Sequence, residues 1–255
     1  MKSQYLTTSE MQALERHAVE KYSISLKQMM RNAGKAVFDV VMNEILPTIT
    51  GGDNDPCRPL TVIGKGNNGG DALVTARLLH EKGIDVEVMC IYPISDMSPM
   101  AKTEMMKCKK LGIKFVGKFA CPACPDCSRG ERSRGNNKYS LIIDGIFGFS
   151  LKGNPRLPEA KIIEHLSTIA QDDNHIPILS VDVPSGLDAH SGSIGQPTIK
   201  ADYTVSLGML KKGFEEHPEI IGKLYLGNLG IPDNAYRDMG YEAPMFREKS
   251  YISVN

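Results

Sequence analysis

The chain has 255 residues, and 30 Lys and Arg are balanced by 30 Asp and Glu, for a formal net charge of zero. That length suits one α/β domain with a substantial core, and the even charge argues against a general nucleic-acid or membrane surface. No apolar stretch reaches the roughly 18 residues of a bilayer span.

Met1 to Tyr5 lacks the apolar core of a signal peptide, so the expected location is cytoplasmic. A mitochondrial location would require a targeting segment already removed. Thr8-Ser9-Glu10 opens a helical pattern with Ser9 as its cap, and Met11, Leu14, His17 and Ala18 recur at helical spacing. After a turn near Tyr22 a second helix carries Leu26, Met29, Met30, Ala33, Val37, Val40 and Val41 on its inner face. Its methionines read as core. Gly51 to Pro59 is a polar linker into the short apolar strand Leu60 to Ile63.

That strand runs into Gly64-Lys65-Gly66-Asn67-Asn68-Gly69-Gly70-Asp71, and Ala72 to His80 follows with apolar residues at helical spacing. Strand, glycine-rich turn and helix make the usual anion site of an α/β fold, because backbone N–H groups and the helix dipole face the ligand. Neither G-x-G-x-x-G nor a Walker A sequence is present. The plain alternative is a tight turn with Asp71 capping the helix.

Further on, Asp85 to Ile91 reads as a strand, Ser98 to Leu111 as a helix with Met100, Met105, Met106 and Leu111 inward, and Lys114 to Val116 as a strand. Residues 120–138 look like a polar surface insertion. The insertion holds Cys121, Cys124 and Cys127 in C-x-x-C-x-x-C spacing, half of the chain's six cysteines. Three clustered thiols without a second pair are weak support for zinc or an iron–sulfur cluster, and with no secretory signal the cysteines are expected to be reduced thiols. Leu141 to Gly145 is a strand bearing Asp144, Lys161 to Ala170 a helix, and Ile178 to Val181 a strand ending at Asp182-Val183-Pro184-Ser185-Gly186. Strands at 201–207 and 222–227 complete the pattern, and residues 233–255 read as a tail that docks or frays. Strands alternating with helices predict a Rossmann-like three-layer α/β/α sandwich with a mostly parallel central sheet, one domain with a core over about residues 6–232.

In such sheets ligands collect at the carboxyl ends of the strands. Asn68 and Asp71, Asp144, and Asp182 with Ser185 should therefore converge on one crevice. The histidines are scattered, and Ser185 lies in P-S-G instead of G-x-S-x-G, so neither a zinc site nor a nucleophile elbow is indicated.

These three segments, in this order, closely resemble the NAD(P)H-hydrate epimerases, whose pattern is G-x-G-N-N-G-G-D-G, D-A-[IL]-F-G and S-V-D-[IV]-P-S-G. The resemblance runs from about Leu6 to about Pro232. It implies interconversion of the R and S forms of NADHX and NADPHX at carbon 6 of the nicotinamide ring. It further implies an ADP- or ATP-dependent dehydratase as functional partner, and a homodimer. Substrate binding falls to Asn67, Asn68, Gly69, Gly70 and Asp71, to the loop Gly148, Phe149, Ser150, Leu151, Lys152, Gly153 and Asn154, and to Asp182. A potassium ion falls to Asn68, Asp144 and Ser185, which leaves Asp182 as the proton shuttle. Lys152 is assigned to a substrate phosphate or to proton transfer, against the plain alternative of a surface lysine. The sequence departs from the pattern at Arg31, where the family carries an acid, and at Ala72, where it carries Gly. The alternative function is a non-catalytic ligand- or protein-binding module of the same fold, as in decapping scaffolds and an apolipoprotein-binding relative.

Overall fold

The computed structural model describes residues 5–49, 57–116, 139–170 and 175–254. The cysteine-bearing insertion lies outside the described residues. The short strand β1 (Tyr5–Leu6) leads into α1 (Thr8–Tyr22), α2 (Leu26–Val40), a π-helical turn over Val41–Ile45 and α3 (Leu46–Ile49). Next come β2 (Pro59–Ile63), α4 (Asn67–Glu81), β3 (Glu87–Cys90), α5 (Pro99–Lys110) and β4 (Lys114–Val116). The second half comprises β5 (Leu141–Gly145), α6 (Glu159–Ala170), β6 (Ile178–Val181), β7 (Tyr203–Leu207), β8 (Leu210–Lys211), α7 (Pro218–Ile221), β9 (Lys223–Gly227), α8 (Asp233–Asp238) and β10 (Tyr251–Ser253).

The main sheet has the order β10-β9-β7-β6-β5-β2-β3-β4. All neighbours are parallel except β10 on β9. Its central strands are buried along their whole length, as β-branched and leucine-rich runs covered on both faces must be. The period of two sends alternate residues to opposite layers. Leu141 and Ile143 join the cluster beneath α1, α2, α4 and α5, while Ile142, Leu60 and Val62 pack with Ile163 and Leu166 of α6. The chain therefore forms a three-layer α/β/α sandwich.

After β2 the chain builds outward through β3 and β4, then returns to add β5 on the other side of β2. The switch point lies between β2 and β5, where a crevice opens at the carboxyl ends of the strands. The backbones are close there: Gly64 N–H donates to Gly145 O at 3.2 Å, and a Cβ on Gly64 would overlap the Ile146 carbonyl.

Several local expectations are corrected. The cap of α1 is Thr7 in a reciprocal capping box with Glu10, instead of Ser9. Leu26 opens α2 but is exposed, and Met106 and Leu111 face solvent while Ala101, Glu104, Met105 and Cys108 point inward from α5. Period counting had placed the apolar stripe of α5 slightly off, because a buried Glu104, paired with Lys107, takes an inward position. Of the two expectations for the tail, docking is what residues 233–254 show: α8 packs against α1, and β10 extends the sheet past β9.

Candidate functional site

The segment Asn67 to Asp71, expected as a loop, is the first turn and more of α4, whose cap is Gly66. Asp71 is thus inside the helix and not its cap. Ala72 has ordinary helical geometry, so its methyl in place of the family's hydrogen imposes no backbone strain. Asn67 is exposed and accepts from Ser98 Oγ at 2.8 Å, while Asn68, Gly69 and Gly70 are buried.

Asn68, Asp144 and Ser185 meet around one peptide unit. Asn68 Nδ2 donates to Phe147 O at 2.8 Å, and Phe147 N–H donates to Ser185 Oγ at 3.0 Å. Ser185 in turn donates from Oγ to Asp144 Oδ1 at 2.6 Å and from its backbone N–H to Oδ2 at 2.9 Å. Asp144 is fully buried and also accepts from Ser180 Oγ and from Ile146 N–H. Burial raises its pKa above the ordinary carboxylate value, and the hydrogen bonds from Ser185, Ile146 and Ser180 oppose that rise.

Four donors engage the Asp144 carboxylate, two on each oxygen. The oxygen left over at this site is Asn68 Oδ1, which is buried and has no hydrogen-bond partner. An orphaned amide oxygen beside a buried carboxylate and a hydroxyl is a donor set that fits a hard monovalent cation. No group of three His, Cys, Asp or Glu suited to a transition metal occurs among the described residues.

Asp182 lies past the end of β6 with φ +66°, a left-handed conformation uncommon for a non-glycine residue. The structure holds it from three sides. Leu207 N–H donates to Oδ1 at 3.2 Å, Phe149 N–H donates to Oδ2 at 3.2 Å, and Lys211 Nζ stands 2.6 Å from Oδ1. Both members of that ion pair are almost completely buried, at 2% and 4% side-chain exposure.

Two more carboxyls couple to the pair. Burial, then the charges of Asp182 and Glu15, push the half-buried Asp71 well above the usual carboxylate range. Glu15 on α1 is pushed up to about 7, mainly by burial, with Lys211 opposing and Asp182 adding to the rise. A buried carboxyl whose pKa is raised in this way can hold a proton and give it to a bound group.

The second expected ligand loop is divided. Gly148 packs between Asn68 and Asp182, and the Phe149 backbone contacts Asp182. Leu151 is half-buried, whereas Ser150, Lys152, Gly153 and Asn154 are exposed. Asn154 accepts from Gln196 N–H at 3.1 Å. The amine that reaches Asp182 is Lys211, not Lys152. Glu15 escaped the sequence reading altogether. The available signal was an acid next to buried Leu14 on a helix with an apolar face.

Fold and site define a doubly wound α/β protein whose polar centre lies at the switch point of a parallel sheet. A family described as "YjeF-related protein N-terminus" matches residues 26–213, and the chain belongs to that family. It is 33% identical over 230 residues to the NAD(P)H-hydrate epimerase of Dictyostelium discoideum, covering 89% of this chain and 85% of the relative. It is 29% identical over 230 residues to the bifunctional NAD(P)H-hydrate repair enzyme Nnr of Thermofilum pendens, covering 88% of this chain and 40% of that protein. The crystal structure of yeast ynu0 superimposes with a TM-score of 0.81 at 25% identity, with both chains covered fully.

Proposed function

We propose that this chain is an NAD(P)H-hydrate epimerase, an isomerase that interconverts the R and S forms of hydrated NADH and NADPH. Its similarity to the Dictyostelium epimerase covers most of both chains. The observation that carries the chemistry is the buried Asp182 carboxylate, held at the crevice by Lys211 and the backbone N–H groups of Leu207 and Phe149.

Carbon 6 of the substrate bears a hydroxyl and adjoins the ring nitrogen. Inversion there requires a planar intermediate. In the proposed sequence Asp71 gives its proton to the hydroxyl, the C–O bond breaks and water leaves. The nitrogen lone pair then forms the C=N bond of an iminium. Water adds to the other face, and a carboxylate, Asp182 in this reading, takes its proton; exchange of that proton back to Asp71 through solvent restores the starting state. Buried Asn68, Gly69 and Gly70 line the start of α4, whose N-terminal dipole favours the substrate's phosphates.

Asn68, Asp144 and Ser185 would hold a potassium ion, with the orphaned Asn68 Oδ1 as support for that reading. Such an ion would supply a fixed positive charge to the site. A dehydratase that consumes the S form is the expected functional partner, in keeping with the bifunctional relative, and a homodimer is the expected assembly.

The test is a coupled assay on R-enriched NADHX with excess S-specific dehydratase. Conversion faster than the spontaneous rate is the expected result. A well-folded protein without acceleration would overturn the reading and leave the non-catalytic binding module.

A further inference from the structure

The Lys211 ammonium is nearly inaccessible, and all its hydrogen-bonding capacity is committed inside the protein. Nζ donates to Leu207 O at 2.6 Å and Met209 O at 3.0 Å, and it is 2.6 Å from Asp182 Oδ1. A longer contact runs to Ser206 Oγ at 3.4 Å, and the ring of Phe149 covers it at 5.8 Å. Three N–H donors therefore meet three close acceptors. Nothing is left over for a substrate group.

The carbonyls come from the turn between β7 and β8, whose Leu207 N–H also binds Asp182. Lys211 thus ties that turn to the left-handed Asp182 backbone, and Asp182 N–H donates to Val205 O at 2.8 Å. On the outer side Leu6 of β1 pairs with Lys211 in register. Thr8 Oγ1 donates to Phe149 O at 3.2 Å, which anchors the start of α1 over the same loop.

We propose that Lys211 is a positioning residue for epimerisation: it fixes the Asp182 carboxylate in charge and orientation and never contacts the substrate. The inference rests on Asp182 serving as the proton acceptor in the reading above. The charged groups that face the pair are Glu15 from α1 and Asp71 from α4. Together the four groups make three carboxyls against one amine. Lys211 supplies the sole positive charge among these four, so its removal should make ionisation of Asp182 harder and leave substrate contacts in place.

The test compares Lys211→Gln with Lys211→Arg in the epimerase assay across pH, after circular dichroism has established folding. Gln keeps donors for the carbonyls but has no charge; Arg keeps the charge in a different shape. For Lys211→Gln the expected result is a kcat lowered about tenfold or more with KM changed little, since only a group acting through Asp182 is lost. Its acidic limb should move to higher pH, because a carboxylate without its cation protonates more readily. Lys211→Arg should keep the limb where it is in the wild type. A folded Lys211→Gln protein with an unmoved limb and unchanged kcat would overturn the proposal. If Lys211→Gln does not fold, Lys211→Arg decides, and a displaced acidic limb there would sink it. Wild-type protein without epimerase activity would instead remove the reading of function and leave the ion pair untouched.

Discussion

Ser185 holds Asp144 by both of its donors, the side-chain hydroxyl at 2.6 Å and the backbone N–H at 2.9 Å. The same hydroxyl accepts from Phe147 N–H, so one small residue joins two strand ends. Ser185→Ala leaves a buried carboxylate short of a donor and a buried N–H without an acceptor. It should lower unfolding free energy by about 1–3 kcal/mol, measured by urea denaturation at neutral pH. Wild-type stability in this variant would mean that the hydroxyl is dispensable to the fold.

Potassium binding should be visible without any turnover. If Asn68 Oδ1 is a ligand oxygen, KCl at about ten times Kd should stabilise the protein by about 1.4 kcal/mol over NaCl of equal ionic strength. For a chain of this size that is a rise of a few degrees in Tm. Asn68→Ala should remove the difference between the two salts. Identical melting of the wild type in both salts would rule out a specific potassium site.

Asp182→Asn tests the proton acceptor. Asn tolerates the left-handed backbone that Asp182 adopts, so the conformation should survive. Turnover should fall by at least about 10²-fold, with ligand binding retained in equilibrium titrations. Unchanged epimerisation would move the acceptor role to another group.

Glu15 makes a prediction about pH. Its folded-state pKa is raised to about 7, so between about 4.5 and about 7 the folded chain binds a proton that the unfolded chain has released. The stability attached to that proton is complete below about 4.5 and lost as pH rises through about 7. Glu15→Gln removes this loss and should be more stable than wild type at pH 8, on the order of 2 kcal/mol. At pH 4 the two proteins should match. Parallel stability curves from pH 4 to 8 would show that Glu15 ionises as freely when folded as when unfolded.

Gly34 lets α2 approach α4. A Cβ there would overlap Val74 and crowd the Asp71 carbonyl. Gly34→Ala should therefore destabilise by about 1–3 kcal/mol despite the better helix propensity of alanine. A stabilised variant would show that the two helices can separate at little cost.

Much of the site was legible because its parts are local in sequence. Asp144 and Ser185 sit at strand ends that a run of Leu, Ile and Val announces, and a parallel sheet brings such ends together. Asn68 and Asp71 were found for the same reason. Their conformation was not, since Gly-Gly inside a helix runs against propensity, and it is close packing that selects the helix: a Cβ on Gly70 would overlap Met30. Lys211 was not legible as a buried charge, because its burial depends on β1, whose Leu6 pairs with it from 205 positions earlier in the chain. Glu15 depends on the same long-range docking. Helical periodicity says which side of α1 is buried, not which groups lie across from it.

The pairing of Leu6 with Lys211 makes the amino-terminal helix part of the wall of the reacting centre. Amide protons of α1 should accordingly exchange more slowly when the crevice is filled, though they belong to none of the motif segments. Any contact that pries this helix away would loosen Lys211 and Asp182 together, silencing turnover from a surface that never meets the dinucleotide.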